Sequence, residues 1–134
     1  MANQYYPKGA EKTFNGAINY LTDDIRAVLV SSAYTLSNTH EFASELGALI
    51  GTPQALANKA TVGGVFDADD VAFGALAPGN TVKAVVLIKY TGNLSTSPLI
   101  CYLDEVTGLP LATNGGAVTV PWSNGAQKII SLVP

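Results

Sequence analysis

The stretch Val82-Lys83-Ala84-Val85-Val86-Leu87-Ile88-Lys89-Tyr90-Thr91 constrains the fold more than any other part of the chain. Its β-branched content marks a strand, in which successive side chains point to opposite faces. Val82, Ala84, Val86, Ile88 and Tyr90 then share one face, and Val85 and Leu87 sit between Lys83 and Lys89 on the other. The middle of this strand is apolar on both sides and its ends are polar. It must lie inside a sheet, with one face on a core and the outer face covered by a helix or a partner.

The surrounding sequence supplies more strands than helices. Residues 25–30, Ile-Arg-Ala-Val-Leu-Val, read as a second core strand, and residues 99–103 as the hairpin mate of the central one. Val71 and Phe73 point together, and Leu56, Asn58, Ala60 and Val62 are expected on one strand face. Gly63-Gly64 permits a bulge or a tight corner. Val118, Val120 and Trp122 alternate with Thr119 and Pro121, and the proline favours an edge. Ser123-Asn124-Gly125 has hairpin-turn chemistry, and Ile130 with Leu132 closes the last strand. Two short helices are expected. Residues 8–15 form the first, ended by Gly16, with Phe14 as its buried anchor. The second opens at Asn38-Thr39-His40-Glu41, carries Phe42, Leu46 and Leu49 inward, and ends at Gly51 and Pro53. The fold class is therefore mainly β: an antiparallel β-sandwich, jelly-roll-like, with two short helices. Its 134 residues make one domain, 1–134.

Composition narrows the chemistry. Charged residues are only 13% of the chain, about half the share usual in globular proteins, which points to a surface partly covered by protein. The net charge is −3 and the seven basic residues are scattered, so no basic face exists to neutralise phosphates, and no nucleic-acid partner is expected. The longest apolar run, residues 84–88, is far below the roughly 20 residues of a membrane span, and the first residues carry no basic-then-apolar leader. No membrane partner and no secretion are expected. Cys101 is the single cysteine, and it reads as a core residue.

No constellation for catalysis stands out. His40 is the one histidine, and the first turn of a helix more often holds a surface or capping residue than a general base. Asp67, Asp69 and Asp70 could hold Ca²⁺, which takes six to eight oxygen ligands, but they lack EF-hand spacing and read as a solvated turn. Ser31-Ser32 and Ser95-Thr96-Ser97 lack a nucleophile elbow. Asn93-Leu94-Ser95 matches a glycosylation sequon by chance. The glycine pairs precede no phosphate-binding helix. The expectation is no enzyme, no cofactor and no metal. Trp122 with Tyr90, Tyr102 and Tyr5-Tyr6 could line a sugar-binding face, although the alternation of Trp122 with Val118 and Val120 suits a core position better.

Much of the chain resembles a family of small structural proteins encoded by tailed phages and prophages. The residues that carry the resemblance are Phe14-Asn15-Gly16, residues 18–23 and 25–30, His40-Glu41-Phe42, residues 63–73 and residues 99–104. Thr107-Gly108-Leu109-Pro110, Asn114-Gly115-Gly116 and residues 118–125 complete it, the last stretch being the most specific. Family members commonly carry Asp-Trp where this chain has Asn19-Tyr20. The resemblance implies a virion part made in the bacterial cytoplasm, and it transfers no catalytic residue. Within that class the expectation is a head-decoration or cement protein, a homo-oligomer such as a trimer, seated on the major capsid protein or another virion protein. The alternative is a tail-fibre or baseplate component that binds a receptor or carbohydrate. Partner contacts are expected at Tyr5, Tyr6, Leu36, Phe42 and Leu94, within residues 36–50 and 92–98, where apolar side chains stand in loop-like sequence.

Overall fold

A computed structural model describes residues 4–122 and 129–131. Along the chain run β1 (Gln4–Tyr5), α1 (Pro7–Phe14), β2 (Ile25–Ser31), β3 (Leu49–Ala55), β4 (Ala60–Val62), β5 (Val65–Asp67) and β6 (Val71–Ala75). These are followed by β7 (Thr81–Lys89), β8 (Leu99–Leu103), β9 (Leu111–Ala112), β10 (Ala117–Val120) and β11 (Ile130–Ser131). Single 3₁₀ turns lie at Ala43–Leu46 and Leu94–Thr96. The expected turn at residues 123–125 and the end of the last strand at Leu132 lie outside the described residues.

All strand pairs are antiparallel. The main sheet has the order β1-β8-β7-β2-β3, with β9 extending the pairing along β7. Two smaller sheets, β10-β6 and β11-β5-β4, pack across one of its faces. The chain is mainly β and sandwich-like, as its alternation pattern requires.

β7 lies between β8 and β2, and both its faces are buried. Val85 and Leu87 join Ala27, Leu29, Cys101 and Leu103 in a first core against Phe66, Val71, Phe73, Val120 and Trp122. Ala84, Val86 and Ile88 join Val28, Val30 and Tyr102 in a second core on the opposite face. Val82 departs from simple alternation. Val30 pairs with Ala84 but Ser31 pairs with Val82, so Lys83 is an extra residue in β7, and Val82 turns to the face of Val85. The bulged Lys83 extends across the second face and donates from Nζ to the Tyr34 carbonyl at 2.9 Å.

No partner is needed to cover the second face. Tyr6, Tyr34, Ala43 and Leu46 are buried on it, with Leu36, Leu49 and Leu94 half-buried beside them. The covering segment, residues 32–48, is a strap and not the expected second helix. It contains one 3₁₀ turn, and Leu49, Gly51 and Pro53 belong to strand β3. Asn38 caps nothing there. Glu45 instead reaches back, its Oε1 accepting from the N–H groups of Glu41 at 2.8 Å and Phe42 at 3.0 Å. Helical spacing of Phe42, Leu46 and Leu49 gave way to sheet pairing, because residues 49–55 find β2 as a ladder partner. The strap is stitched to the 92–98 loop by Ala43 N–H to Ser97 O at 2.9 Å and by Leu99 N–H to Glu41 O at 2.9 Å.

Two further expectations are corrected. Leu56, Asn58, Ala60 and Val62 do not share a strand face: Asn58 has φ +54°, which breaks the strand, and β4 begins only at Ala60. Gly63 and Gly64, at φ +62° and +80°, close the β4–β5 hairpin as a two-residue turn of the primed type. Phe14 is not the anchor of α1, since it is 82% exposed. Gly9 is the buried residue of that helix. A Cβ at position 9 would stand 2.3 Å from the Leu99 carbonyl oxygen and 2.8 Å from that of Ile100. Ile100 is itself a bulge in β8, since Leu87 pairs with Cys101 and Ile88 with Leu99. Helix and strand backbones touch there because no side chain intervenes.

Gly9→Ala should therefore lower stability by about 1–3 kcal/mol although it raises helix propensity, because the backbone of β8 must yield. Urea unfolding followed by far-UV circular dichroism measures this. An unchanged or higher midpoint would contradict the close approach.

Candidate functional site

Helix α1 presents three directions to its surroundings. Gly9 faces β8. Lys12 turns to one flank, where Nζ meets Glu41 Oε2 at 2.6 Å and stands 5.6 Å from the Phe42 ring centre. Thr13 turns to the other flank, and there a groove opens with a volume of about 310 Å³. Ile18, Tyr20 and Leu21 line it from the segment after the helix, Thr61 and Gly64 from the β4–β5 hairpin, and Val65, Phe66 and Ile130 from the small sheet. No charged residue lines it among the described residues.

The base of the groove is aromatic and hydroxylated. Tyr20 meets Phe66 edge-to-face, with ring centres 5.1 Å apart at 89°. Its hydroxyl bonds Thr13 Oγ1 at 2.9 Å, and the Tyr5 hydroxyl is a further partner. Asn19 shapes the segment that carries Tyr20: its Oδ1 accepts from the N–H groups of Leu21 and Thr22, at 3.0 and 3.2 Å. Asp23 closes the loop by accepting the Asn19 N–H at 2.7 Å. That local turn chemistry holds Ile18 and Tyr20 inward and leaves Leu21 half in water.

Three large apolar side chains are exposed among the described residues, and one of them, Leu21, belongs to this lining. Phe14 is 82% exposed and follows Thr13, Val62 is 76% exposed and follows Thr61, and Leu21 at 47% is itself in the lining.

Of the five residues expected to meet a partner, only Tyr5 lines this groove. Tyr6 is fully buried in the second core, where its hydroxyl bonds that of Tyr34 at 2.8 Å. It therefore offers no outward surface. Leu36 and Leu94 pack half-buried on the same core, and Phe42 is held between Lys12 and the bridge it forms to Pro98. Their apolar character serves the second face of the central sheet. Phe14, Tyr20, Leu21 and Val62 were not foreseen as surface residues. Phe14 lies 140° around the helix from Gly9, so its exposure follows once the structure shows that Gly9 faces β8.

His40 stands in a shallow depression with Tyr34, Thr35 and Glu45. Its Nδ1 pairs with the Tyr34 hydroxyl at 2.7 Å, so His40, Tyr34 and Tyr6 form a chain of hydrogen bonds that runs into the second core. Two backbone N–H groups, of Glu41 and Phe42, hold the Glu45 carboxylate below the usual range, with the charge of His40 a lesser cause. The chain braces the strap against the sheet.

The aspartates are also committed to structure. Asp70 Oδ1 accepts the Trp122 N–H at 2.9 Å, the Asp69 carbonyl accepts the indole N–H at 2.9 Å, and the Asp69 side chain is held by Asn58. No group of three potential metal ligands occurs among the described residues. The aromatics named for a sugar-binding face are dispersed: Trp122 is buried in the first core, Tyr102 in the second, and Tyr90 lies 4.2 Å beneath the Arg26 guanidinium.

The chain matches no protein-family model, and comparison with curated proteins finds no match.

Burial pushes the Tyr20 phenol from its ordinary 10.0 up to about 12, and it pushes Tyr5 upward as well. Below the ordinary value folded and unfolded chains both keep the proton; above it only the folded chain does. Stability should thus be intact to about pH 10 and fall as pH rises towards 12. Burial raises Tyr6, Tyr34, Tyr102 and Cys101 too, so Tyr20→Phe should remove only its own share of this alkaline loss, while costing about 1 kcal/mol at neutral pH through the lost hydroxyl contact. Denaturant titrations across the alkaline range test both, and an identical pH profile in the variant would refute the assignment.

Proposed function

We propose that this chain is a non-catalytic structural protein of a tailed-phage particle, a decoration or cement protein that sits on the assembled shell and works by packing. The observation that carries the reading is an uncharged groove with the half-exposed Leu21 in its lining, in a chain that also leaves Phe14 and Val62 largely in water. A protein that covers both faces of its own central sheet has no folding reason to leave these side chains in water. An uncharged groove with exposed apolar side chains is a feature of surfaces that meet other proteins. The short exposed strand β4 lies at the edge of its sheet beside the same rim, offering backbone N–H and C=O groups to a neighbouring chain.

The energetics suit a repeated assembly. Each 100 Å² of apolar surface covered contributes about 2.5 kcal/mol before the costs of association, so one contact is modest. A shell repeats it at every equivalent position. The low charge content fits the same role, since a protein bound at a fixed site needs less surface charge to remain dispersed. The sequence resemblance to phage and prophage structural proteins supports the virion as the setting.

Purified protein added to shells that lack it should co-sediment with them and raise their resistance to heat and low salt. Leu21→Asp and Val62→Asp should each weaken that binding at least tenfold without changing the thermal midpoint of the free protein. Failure of the unaltered protein to sediment with shells, at concentrations that saturate a micromolar site, would defeat the reading.

A further inference from the structure

Four asparagines fold their side chains onto the backbone two residues ahead. Asn15 Oδ1 accepts the Ala17 N–H at 3.0 Å and Asn19 Oδ1 the Leu21 N–H at 3.0 Å. Asn93 Oδ1 accepts the Ser95 N–H at 2.9 Å and Asn114 Oδ1 the Gly116 N–H at 2.9 Å. Each turn lays the carboxamide beside the peptide nitrogen in between. We propose that one of the four, Asn114, is a self-modifying site, which loses its amide to attack by the Gly115 nitrogen and leaves aspartate or isoaspartate in the loop before β10.

Three observations select it. The first is the residue that follows. Tyr20 and Leu94 carry side chains beside the attacking nitrogen, whereas Gly16 and Gly115 carry none and let the carboxamide close in. The second is the state of that nitrogen, which must shed its proton to become a nucleophile. The Gly16 N–H is donated to the Thr13 carbonyl at 3.4 Å, while the Gly115 N–H has no hydrogen-bond partner among the described residues. The third is the donor on Oδ1. Attack on Cγ drives negative charge onto that oxygen, and the Gly116 N–H is already aimed at it, as a donor in an oxyanion hole is. A Cβ at position 116 would stand 3.0 Å from Asn114 Oδ1, so this contact uses the second glycine as well. Asn114 and Gly115 are exposed, and solvent supplies both base and water.

The steps balance with water alone. Hydroxide takes the Gly115 N–H proton, and the nitrogen bonds to Asn114 Cγ. The tetrahedral adduct collapses by breaking the bond from Cγ to Nδ2, which leaves as ammonia after taking a proton from water, and a five-membered cyclic imide remains. Water then adds to one of its two carbonyl carbons and breaks the bond from that carbon to the ring nitrogen. Opening at Cγ gives aspartate, and opening at the main-chain carbon gives isoaspartate. Either product adds one negative charge to a chain of net −3. The new carboxylate enters the lining of a second groove, of about 300 Å³, that Leu109, Leu111 and Val118 share with Asn114 and that no charged side chain lines among the described residues. Isoaspartate also lengthens the main chain by one carbon just before β10, where the Leu76 N–H on the Gly116 carbonyl at 3.2 Å and the pair of Ala117 with Ala75 begin the ladder to β6.

Peptide mass spectrometry tests this on the full chain, held folded in mildly alkaline buffer made with heavy-oxygen water, beside an equal sample in urea. In the folded chain Asn114 should convert at least tenfold faster than Asn15, each product carrying one heavy oxygen and isoaspartate among them. In urea the two sites should convert at similar rates. Gly116→Ala, with an unchanged circular-dichroism spectrum, should slow Asn114 severalfold in the folded chain and leave its rate in urea as it was. A folded chain that keeps the Asn114 amide while the urea sample loses it would overturn the proposal. So would equal rates at Asn15 and Asn114 in the folded chain, or aspartate formed with no isoaspartate.

Discussion

A strand that is apolar on both faces forces everything around it to form two layers. β7 places Val85 and Leu87 on one side and Ala84, Val86 and Ile88 on the other, with β8 and β2 as its ladder neighbours. The backbone is satisfied within the sheet, and the two faces are satisfied by different means. Two small sheets close the first, and an irregular strap closes the second. The strap can be irregular because its polar backbone is tied down at intervals, to the 92–98 loop, to Glu45 and through Tyr34 to Lys83. Hydrophobic burial sets where the strap lies, and these bonds set its path.

That arrangement bears directly on function. A segment that looks like spare apolar loop in the sequence is consumed as the cover of a core, and side chains that look like partner contacts become internal. Tyr6 is fully buried in this way, and Leu36 and Leu94 pack half-buried against the same core. Once both faces of the sheet are accounted for, the large apolar side chains left in water among the described residues are few: Phe14, Leu21 and Val62. Leu21 gains meaning from that subtraction, because it lies in the lining of an uncharged groove.

The same logic separates the polar groups that build from those that act. His40 and Glu45 are near neighbours in one depression, which in outline resembles an acid–base pair. The carboxylate is spent on two backbone N–H groups, and the imidazole ends a hydroxyl chain that runs into a core. Asp70 and the Asp69 carbonyl hold the backbone and indole N–H groups of Trp122, fixing the largest side chain of the first core. Glu45 and Asp70 satisfy backbone N–H groups, the Asp69 carbonyl an indole N–H and the His40 imidazole a tyrosine hydroxyl, and such bonds give a mixed apolar chain one defined structure.

Local pattern was enough to read the fold class, the central strand, its hairpin mate, the strand at residues 25–30 and the core position of Trp122, because alternation and turn chemistry act over a few residues. At Gly63-Gly64 the same short-range chemistry left a bulge and a tight corner open, and the pairing of β4 with β5 decided for the turn. What only tertiary structure decided was register and choice of partner. The bulge at Lys83 moves Val82 to the opposite face, residues 49–55 pair with β2 in place of continuing a helix, and Gly9 displaces Phe14 as the buried residue of α1. Each depends on a neighbour distant in sequence. The groove shares that dependence. Its walls come from residues 5–21, 61–66 and 130, and no short-range pattern contains it.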